Sequence, residues 1–302
     1  MPRTRSIAII VPTMATAARA HALKRALDSL RSQVGVRARP IVVVNGSHTD
    51  PDVIEYLKAC TDITLIRRDE GNYPRALAAG RELVDTEYFG VLDDDDEYLP
   101  DALATRCGPL DDDRNIGIAV TCGLIATERG DVIDNPAIET YRKDPLGALI
   151  NVNWLTSCGA LYRSSSVGAD AFIEMPRYLE WTHLAVRLSL KNRIAFIGRP
   201  TYRLHPASPD SLSASDAYMF HSPDALAKVI ALGLPPRASR VFGRKYRNAL
   251  HALSAVHLRN GDFSSAWSCH LRSLNGIGGY KYILYARHIV RKQLRAWLGA
   301  RA

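Results

Sequence analysis

Near the start of the chain, apolar residues come in short unbroken runs rather than alternating with polar ones. "SIAIIV" (6–11) and "PIVVV" (40–44) are largely β-branched, the pattern of strands covered on both faces of a parallel sheet. Between them, "ARAHALKRALDSLRSQ" sets Ala22, Leu23, Ala26, Leu27 and Leu30 at helical spacing, which predicts a strand–helix–strand unit. The alternation continues: "DITLIRR" (62–68) predicts a third strand, "PRALAAGRELV" (74–84) a helix and "EYFGVL" (87–92) a fourth strand. Such a series predicts an open, doubly wound α/β sheet whose ligands gather at the carboxyl ends of its strands.

The middle of the chain is mixed. "IGIAVTCGLIAT" (116–127) followed by "GDVID" predicts a hairpin, "SCGALYR" (157–163) a strand, "LEWTHLAVRLSLKN" (179–192) a helix and "RIAFIG" (193–198) another strand. Residues 206–223 are rich in Ser, Pro and Asp with no apolar period, so a loop or lid is expected. Everything beyond reads as helical, with "LSAVHLRNGDFSSAWSCHLRSL" as a helical hairpin turning at Asn260 and Gly261.

Composition adds a division of labour. With 302 residues, 47% hydrophobic and 23% charged, the chain can bury a substantial core. Its net charge of +8 is concentrated late: from Arg237 onward thirteen Lys and Arg face one acid, Asp262, which leaves the preceding part net negative. A basic tail on an acidic body points to an anionic partner for the tail. The five cysteines are scattered and lack CxxC spacing, so neither a disulfide framework nor a zinc site is expected, and reduced thiols in a cytoplasmic protein are. The apolar run from Ile7 to Val11 is too short for a signal-peptide core. No stretch approaches the roughly 18–20 apolar residues that span a bilayer, so a soluble or peripheral protein is expected.

The chemistry concentrates in "YFGVLDDDDEYLPDAL" (88–103). Four adjacent aspartates repel one another unless solvent or a cation relieves them. Asp93 and Asp95 have the D-x-D spacing, after a buried strand, that meets a divalent cation carrying a diphosphate. Mg²⁺ and Mn²⁺ are hard cations that prefer such oxygen ligands. The competing reading is a solvated turn capping the helix that begins near Pro100, where acids are favoured.

The first hundred residues resemble the nucleotide-binding half of family 2 inverting glycosyltransferases of the GT-A fold. "IAIIVPT" is similar to the family's opening strand, "ALKRALDSLRSQ" to its next helix and "IVVVNGSHTD" to the segment that meets the nucleotide base. "EGNYPRALAAGRELVDTEYFGVLDDDDEYLPDAL" is similar to the stretch running to the D-x-D strand and its Pro-x-x-Leu; its 87–103 part is the most specific. The resemblance extends over roughly residues 5–205. It implies that Asp95 binds the metal, Mn²⁺ or Mg²⁺, that Asp93 meets the ribose or a second metal position, and that Asp94 lies in the donor site. It also implies a base pocket lined by Pro12, Thr13, Asn45 and Asp50, with Arg75 standing in for the Arg that the family places where this chain has Leu77.

The family's general base lies in a Glu-Asp pair opening a helix. Here "YLEWTHLAVRL" fits that helix, which implies Glu180 as the base, with Trp181 in place of the second acid. "YRLHPASPDSLS" is similar to a segment from which a His approaches the metal or diphosphate, which implies His205 as a metal ligand beside Asp95. The expected organisation is a GT-A domain over 1–205, with a nucleotide-binding half (1–105) and an acceptor half (106–205). A flexible loop or lid (206–222) and a basic helical region (223–302) follow.

In the tail, Ile283, Ala286, Val290, Leu294 and Trp297 form one stripe, beside Lys281, Arg287, His288, Arg291, Lys292 and Arg295. With Tyr280, Tyr282 and Tyr285 this is the pattern of a helix lying in a membrane interface; an ordinary terminal helix with a solvated basic face is the other reading. No nucleic-acid motif is present, and nucleic acid is not an expected partner.

The expected activity is metal-dependent, inverting transfer of a sugar from a nucleotide-diphosphate donor to a glycan or lipid-linked hydroxyl, at the inner face of the cell membrane. The alternative is a non-catalytic, membrane-attached scaffold or nucleotide-sugar binding protein, which Trp181 would suit. A phosphatase with an aspartyl nucleophile would want D-x-D-x-T, and no Thr stands at that place.

Overall fold

The computed structural model describes residues 5–205, 217–276 and 278–299. Two compact units divide them: one holds the chain to Met175 together with 180–205, the other Pro176–Leu179 together with 217–299.

The first unit is built on a seven-stranded sheet. In chain order its strands and neighbouring helices are β1 (Ser6–Thr13), α1 (Ala20–Arg31), β2 (Arg37–Asn45), α2 (Pro51–Ala59), β3 (Thr64–Arg68), α3 (Tyr73–Glu82) and β4 (Tyr88–Val91). There follow β5 (Glu97–Tyr98), α4 (Ala102–Asp112), β6 (Ile116–Thr121), β7 (Gly123–Thr127), β8 (Gly130–Asp134), α5 (Pro145–Ala148), β9 (Ala160–Arg163), α6 (Asp170–Ile173), α7 (Glu180–Lys191), β10 (Arg193–Ile197) and β11 (Tyr202–Leu204). The large sheet runs β10-β6-β9-β4-β1-β2-β3, and β9 alone is antiparallel to its neighbours. A small sheet, β5-β11-β7-β8, stands beside it.

Strand alternation sorts the apolar runs onto two faces. Ile7, Ile9 and Val11 of β1 and Val42 and Val44 of β2 join Leu23, Leu27 and Leu30 of α1 and Leu57 of α2 in one buried cluster. Each fully buried aliphatic side chain of this kind contributes about 1.5–3 kcal/mol. On the opposite face α3 approaches so closely that a Cβ on Gly80 would lie 2.5 Å from Ile10 Cγ2 and 3.2 Å from Val43 Cγ2. The helix can seat there because that position has no side chain.

Two registers place the site. Pairing of Ile10 with Val91 and of Thr13 with Val44 brings the carboxyl ends of β1, β2 and β4 side by side. Pairing of Arg203 with Glu97 and of Tyr202 with Tyr98 lays the chain entering His205 along the acidic turn.

The expected hairpin over 116–134 is divided in the structure. β6 belongs to the large sheet and only β7 and β8 form the hairpin. The chain changes sheets at Cys122, and Gly123 lies against the Tyr202 ring, where a Cβ would come within 2.1 Å. Helix α2 directly follows the expected base-contacting segment, over residues 51–59, for which no element is expected from the sequence. Asp50 caps it through the Asp52 and Val53 amides, Pro51 occupies its first turn, and Val53, Ile54 and Leu57 are buried, a start signal followed by helical spacing.

The second unit is helical: α8 (Ala217–Ala231), α9 (Pro236–Arg259), α10 (Phe263–Leu274) and α11 (Tyr285–Gly299). The expected turn between α9 and α10 is present, with Gly261 at φ 79° and Asp262 capping α10 through the Ser265 amide. The loop expected over 206–222 is corrected at its end. Residues 217–222 are the first turns of α8, because Met219 packs on Leu250, Leu253, Val256 and Cys269, and Ser222 is buried. The rest of that expected lid lies outside the described residues. No helix among them is long and apolar enough to cross a membrane.

Candidate functional site at the carboxyl ends of the strands

Asp93 to Asp96 leave β4 in a tight turn, closed by the Asp96 amide donating to the Asp93 carbonyl at 3.2 Å. Carboxylate oxygens of Asp93, Asp95 and Asp96 all lie within 4.8 Å of one another. Crowding and burial act on their proton affinity. Burial pushes Asp93 up to about 6, against hydrogen bonds from Tyr73 and Ser157. Burial pushes Asp96 up to about 8, with repulsion from Asp93 and Asp95 adding to it. Asp94 stands outside this triad. It is buried, pairs with Arg19 and bonds to Thr13, and burial still raises its pKa. Its Oδ2 is buried without a hydrogen-bond partner.

Neighbouring side chains hold the turn. Arg19, just before α1, also reaches Asp95 Oδ2 at 3.5 Å, and Arg25 of α1 donates to the Asp95 carbonyl at 2.6 Å. Tyr73, at the start of α3, donates its hydroxyl to Asp93 Oδ1 at 2.7 Å. Burial, Asp93 and Glu180 hold the Tyr73 pKa well above the ordinary tyrosine value, so the phenol stays a donor. Its ring meets Trp181 edge-on, with 6.4 Å between centroids. Beneath the turn the buried Arg106 guanidinium donates to the Cys158 carbonyl at 2.6 Å and to Thr201 Oγ1, and lies over the Tyr98 ring.

The residues singled out in the sequence take different places. Glu180 is the first residue of α7, partly buried beside Tyr73. Its helix is tied to α6 by Arg187, which pairs with Asp170 and Glu174. His205 touches the triad with its main chain, the amide donating to Asp96 Oδ1 at 3.1 Å, while its Nε2 lies 3.0 Å from Glu97 Oε1. Thr13 is buried behind Asp94 and Pro12 is buried beside it. Asn45 Oδ1 accepts the Asn72 amide at 2.8 Å, which ties β2 to the start of α3. Asp50 is occupied as the cap of α2. Arg75 pairs with Glu70 at 2.9 Å, both more than half exposed.

Sequence reasoning passes over Asp96, Tyr73, Arg19 and Ser157. The D-x-D spacing selects Asp93 and Asp95 and skips the third carboxylate of the triad. Only the Asn72 cap ahead of "YPRAL" marks where Tyr73 would stand. Arg19 and Ser157 reach the turn through tertiary packing and leave no local signal. The donor set, three carboxylates with converging oxygens, fits a hard divalent cation such as Mg²⁺ or Mn²⁺.

The sequence profile described as "Glycosyl transferase family 2" matches residues 8–167, more than half of the chain and all of the turn just described. No curated protein matches it. Among solved structures, S. aureus TarS 1-349 in complex with UDP-GlcNAc superposes with a TM-score of 0.62 at 16% identity, over 96% of this chain and 89% of that one. The mannosyltransferase PcManGT from Pyrobaculum calidifontis, in complex with GDP-Man and Mn²⁺, superposes with a TM-score of 0.55 at 15% identity, over 98% and 84%. At such identities the likeness is one of fold, the GT-A fold. With the profile matching over the strands, the acidic turn and β9, the chain belongs to glycosyl transferase family 2 and is a glycosyltransferase.

Proposed function

We propose that this glycosyltransferase is metal-dependent and inverting, and that it moves a sugar from a nucleotide-diphosphate donor to a hydroxyl of a glycan or lipid-linked acceptor. The observation that carries this reading is the convergence of Asp93, Asp95 and Asp96 within 4.8 Å at the carboxyl ends of the parallel strands. In this assignment Asp95 and Asp96 hold Mn²⁺ or Mg²⁺, with Asp93 shared between the cation and the ribose. The bound cation would neutralise charge on the departing diphosphate. Asn45 and Thr13 border the base pocket, the His205 segment closes the far side of the turn, Asp94 supports the turn from behind, and Asp50 caps α2 beside the base-contacting segment.

Glu180 takes the acceptor proton. Inversion is a single displacement, so a carboxylate must sit opposite the leaving group. Glu180 opens α7 across Tyr73 from Asp93, which supports that role. The acceptor is placed at the inner, cytoplasmic face of the cell membrane, as the basic tail suits an anionic surface.

Thermal stabilisation by UDP, GDP, dTDP and CMP sugars, each with and without Mn²⁺, tests the donor half. A ligand present at a hundred times its Kd adds about 2.7 kcal/mol to stability, so one nucleotide should raise the melting temperature in the presence of metal and fail to do so in Asp95→Ala. Turnover in Glu180→Gln tests the other half. Loss of transfer with donor stabilisation retained is expected; an active variant would sink the assignment. Donor binding without turnover in the native chain would favour the scaffold reading, to which Trp181 lends itself.

A further inference from the structure

The last helix has more apolar surface than the second unit uses. Stepped at 100° per residue, α11 carries three faces. The first is spent internally: Ile289 is fully buried with Leu258 and Ala266, Tyr285 packs on the same cluster, and Lys292 Nζ donates to the Leu258 carbonyl at 3.0 Å. The second turns to water. Val290, Leu294 and Leu298 are 42%, 54% and 60% exposed, and just upstream Ile283 and Leu284 are 56% and 69% exposed. The third begins within the edge of the second and continues beyond it with Arg287, Arg291 and Arg295, all exposed.

We infer that this apolar and basic surface docks the chain on an anionic lipid bilayer, with α11 lying in the plane of the interface. The inference deepens the acceptor class proposed above and rests on that reading for its setting. Charge selects the occupant. Over residues 217–299 thirteen Lys and Arg face only Asp224 and Asp262, so a second copy of this surface is repelled and an anionic one attracted. Along α11 the exposed apolar side chains run over roughly 12 Å at 1.5 Å per residue, and Ile283, Leu284 and Tyr280, the last 77% exposed, precede them. That is a strip for insertion at headgroup depth, and α11 is not apolar enough to cross the membrane. Stable attachment by a surface helix takes two signals, apolar insertion and basic attraction, and both are present on adjoining faces.

The test is co-sedimentation of the full chain with phosphatidylcholine vesicles, plain or containing about one third phosphatidylglycerol. Partition onto the anionic vesicles is expected to fall at least about tenfold in the double variant Leu294→Ser/Leu298→Ser, in Arg287→Glu/Arg291→Glu, and on raising salt from about 0.1 to 0.5 M. The charge pair is fully on the surface, so it keeps the test valid if the apolar pair fails to fold, which circular dichroism reports. Equal binding by the native chain and both variants, or no binding to either vesicle, overturns the proposal. So does a native dimer that Leu294→Ser/Leu298→Ser dissolves, which would make a second copy the occupant. Donor-induced thermal stabilisation is measured on the same samples. In the native chain, absent vesicle binding with donor stabilisation present removes the docking inference alone; vesicle binding with no donor stabilisation removes the metal-dependent donor reading alone.

Discussion

The contact between Tyr73 and Asp93 joins two parts of the site that the sequence keeps 20 residues apart. A neutral phenol donating to a carboxylate favours the ionised form, and hydrogen bonds to charged groups are worth about 1.5–3 kcal/mol. Tyr73→Phe deletes the donor and keeps the ring that meets Trp181. We expect the fold to survive and the donor's Kd, read from thermal shifts, to rise roughly tenfold or more; unchanged affinity would show that the bond has no part in the site. Arg19, like Ser157, reaches the turn with no local signal in the sequence. It lends positive charge to the buried Asp94 and to Asp95, which answers part of the repulsion that four adjacent aspartates pose. Burial raises the proton affinities of Asp93 and Asp96, and the remaining repulsion adds to it.

Among the elements, α3 depends most on one small residue. A Cβ at Gly80 would press on the branched Ile10 side chain at 2.5 Å, and Ile10 sits in a strand paired on both sides. Helix propensity alone would favour Ala by about 1 kcal/mol, but overpacking of this kind costs about 1–3 kcal/mol. Gly80→Ala is therefore expected to lower the urea midpoint, and because α3 carries Tyr73, to weaken donor binding with it. A rise in stability would mean that α3 can shift outward freely. The strands and helices themselves were largely legible: continuous β-branched runs became parallel strands, and the leucine spacing of 20–31 became α1. The hairpin over 116–134 was misjudged because two apolar runs in sequence can enter different sheets, and only the Tyr202 ring under Gly123 shows where the change happens.

Over the whole molecule, charge and titration divide between the units. The sheet unit gathers acids at one strand end, and the helical unit gathers bases. The helical unit also encloses two histidines. His270 is fully buried with neither ring nitrogen hydrogen-bonded, and His251 stacks on Tyr282 at 4.0 Å. Burial lowers the pKa of both, and the His270 imidazole and Lys281 further oppose charging of His251. A folded pKa below the unfolded value, near 6.5, means that the unfolded chain takes up protons first. Stability is thus complete above that pH and is lost as pH falls below it. Calorimetry between pH 7.5 and 5.5 should show the helical unit melting about 5 °C lower at the acid end, and His270→Phe should flatten that dependence.

The sequence by itself determined the alternation of strands and helices, the acidic turn after the fourth strand, the family, and the basic character of the tail. Each of these is written in neighbouring residues: period, cap, spacing and charge are local quantities. Tertiary structure alone decided that Asp96 joins Asp93 and Asp95, that Asp94 turns inward to Arg19, that the His205 ring meets Glu97, and that Tyr73 stands between Asp93 and Glu180. It also decided which stripe of α11 is buried and which meets water. Those outcomes depend on strand register and on which helix face packs, and both are settled by contacts between residues far apart in the chain.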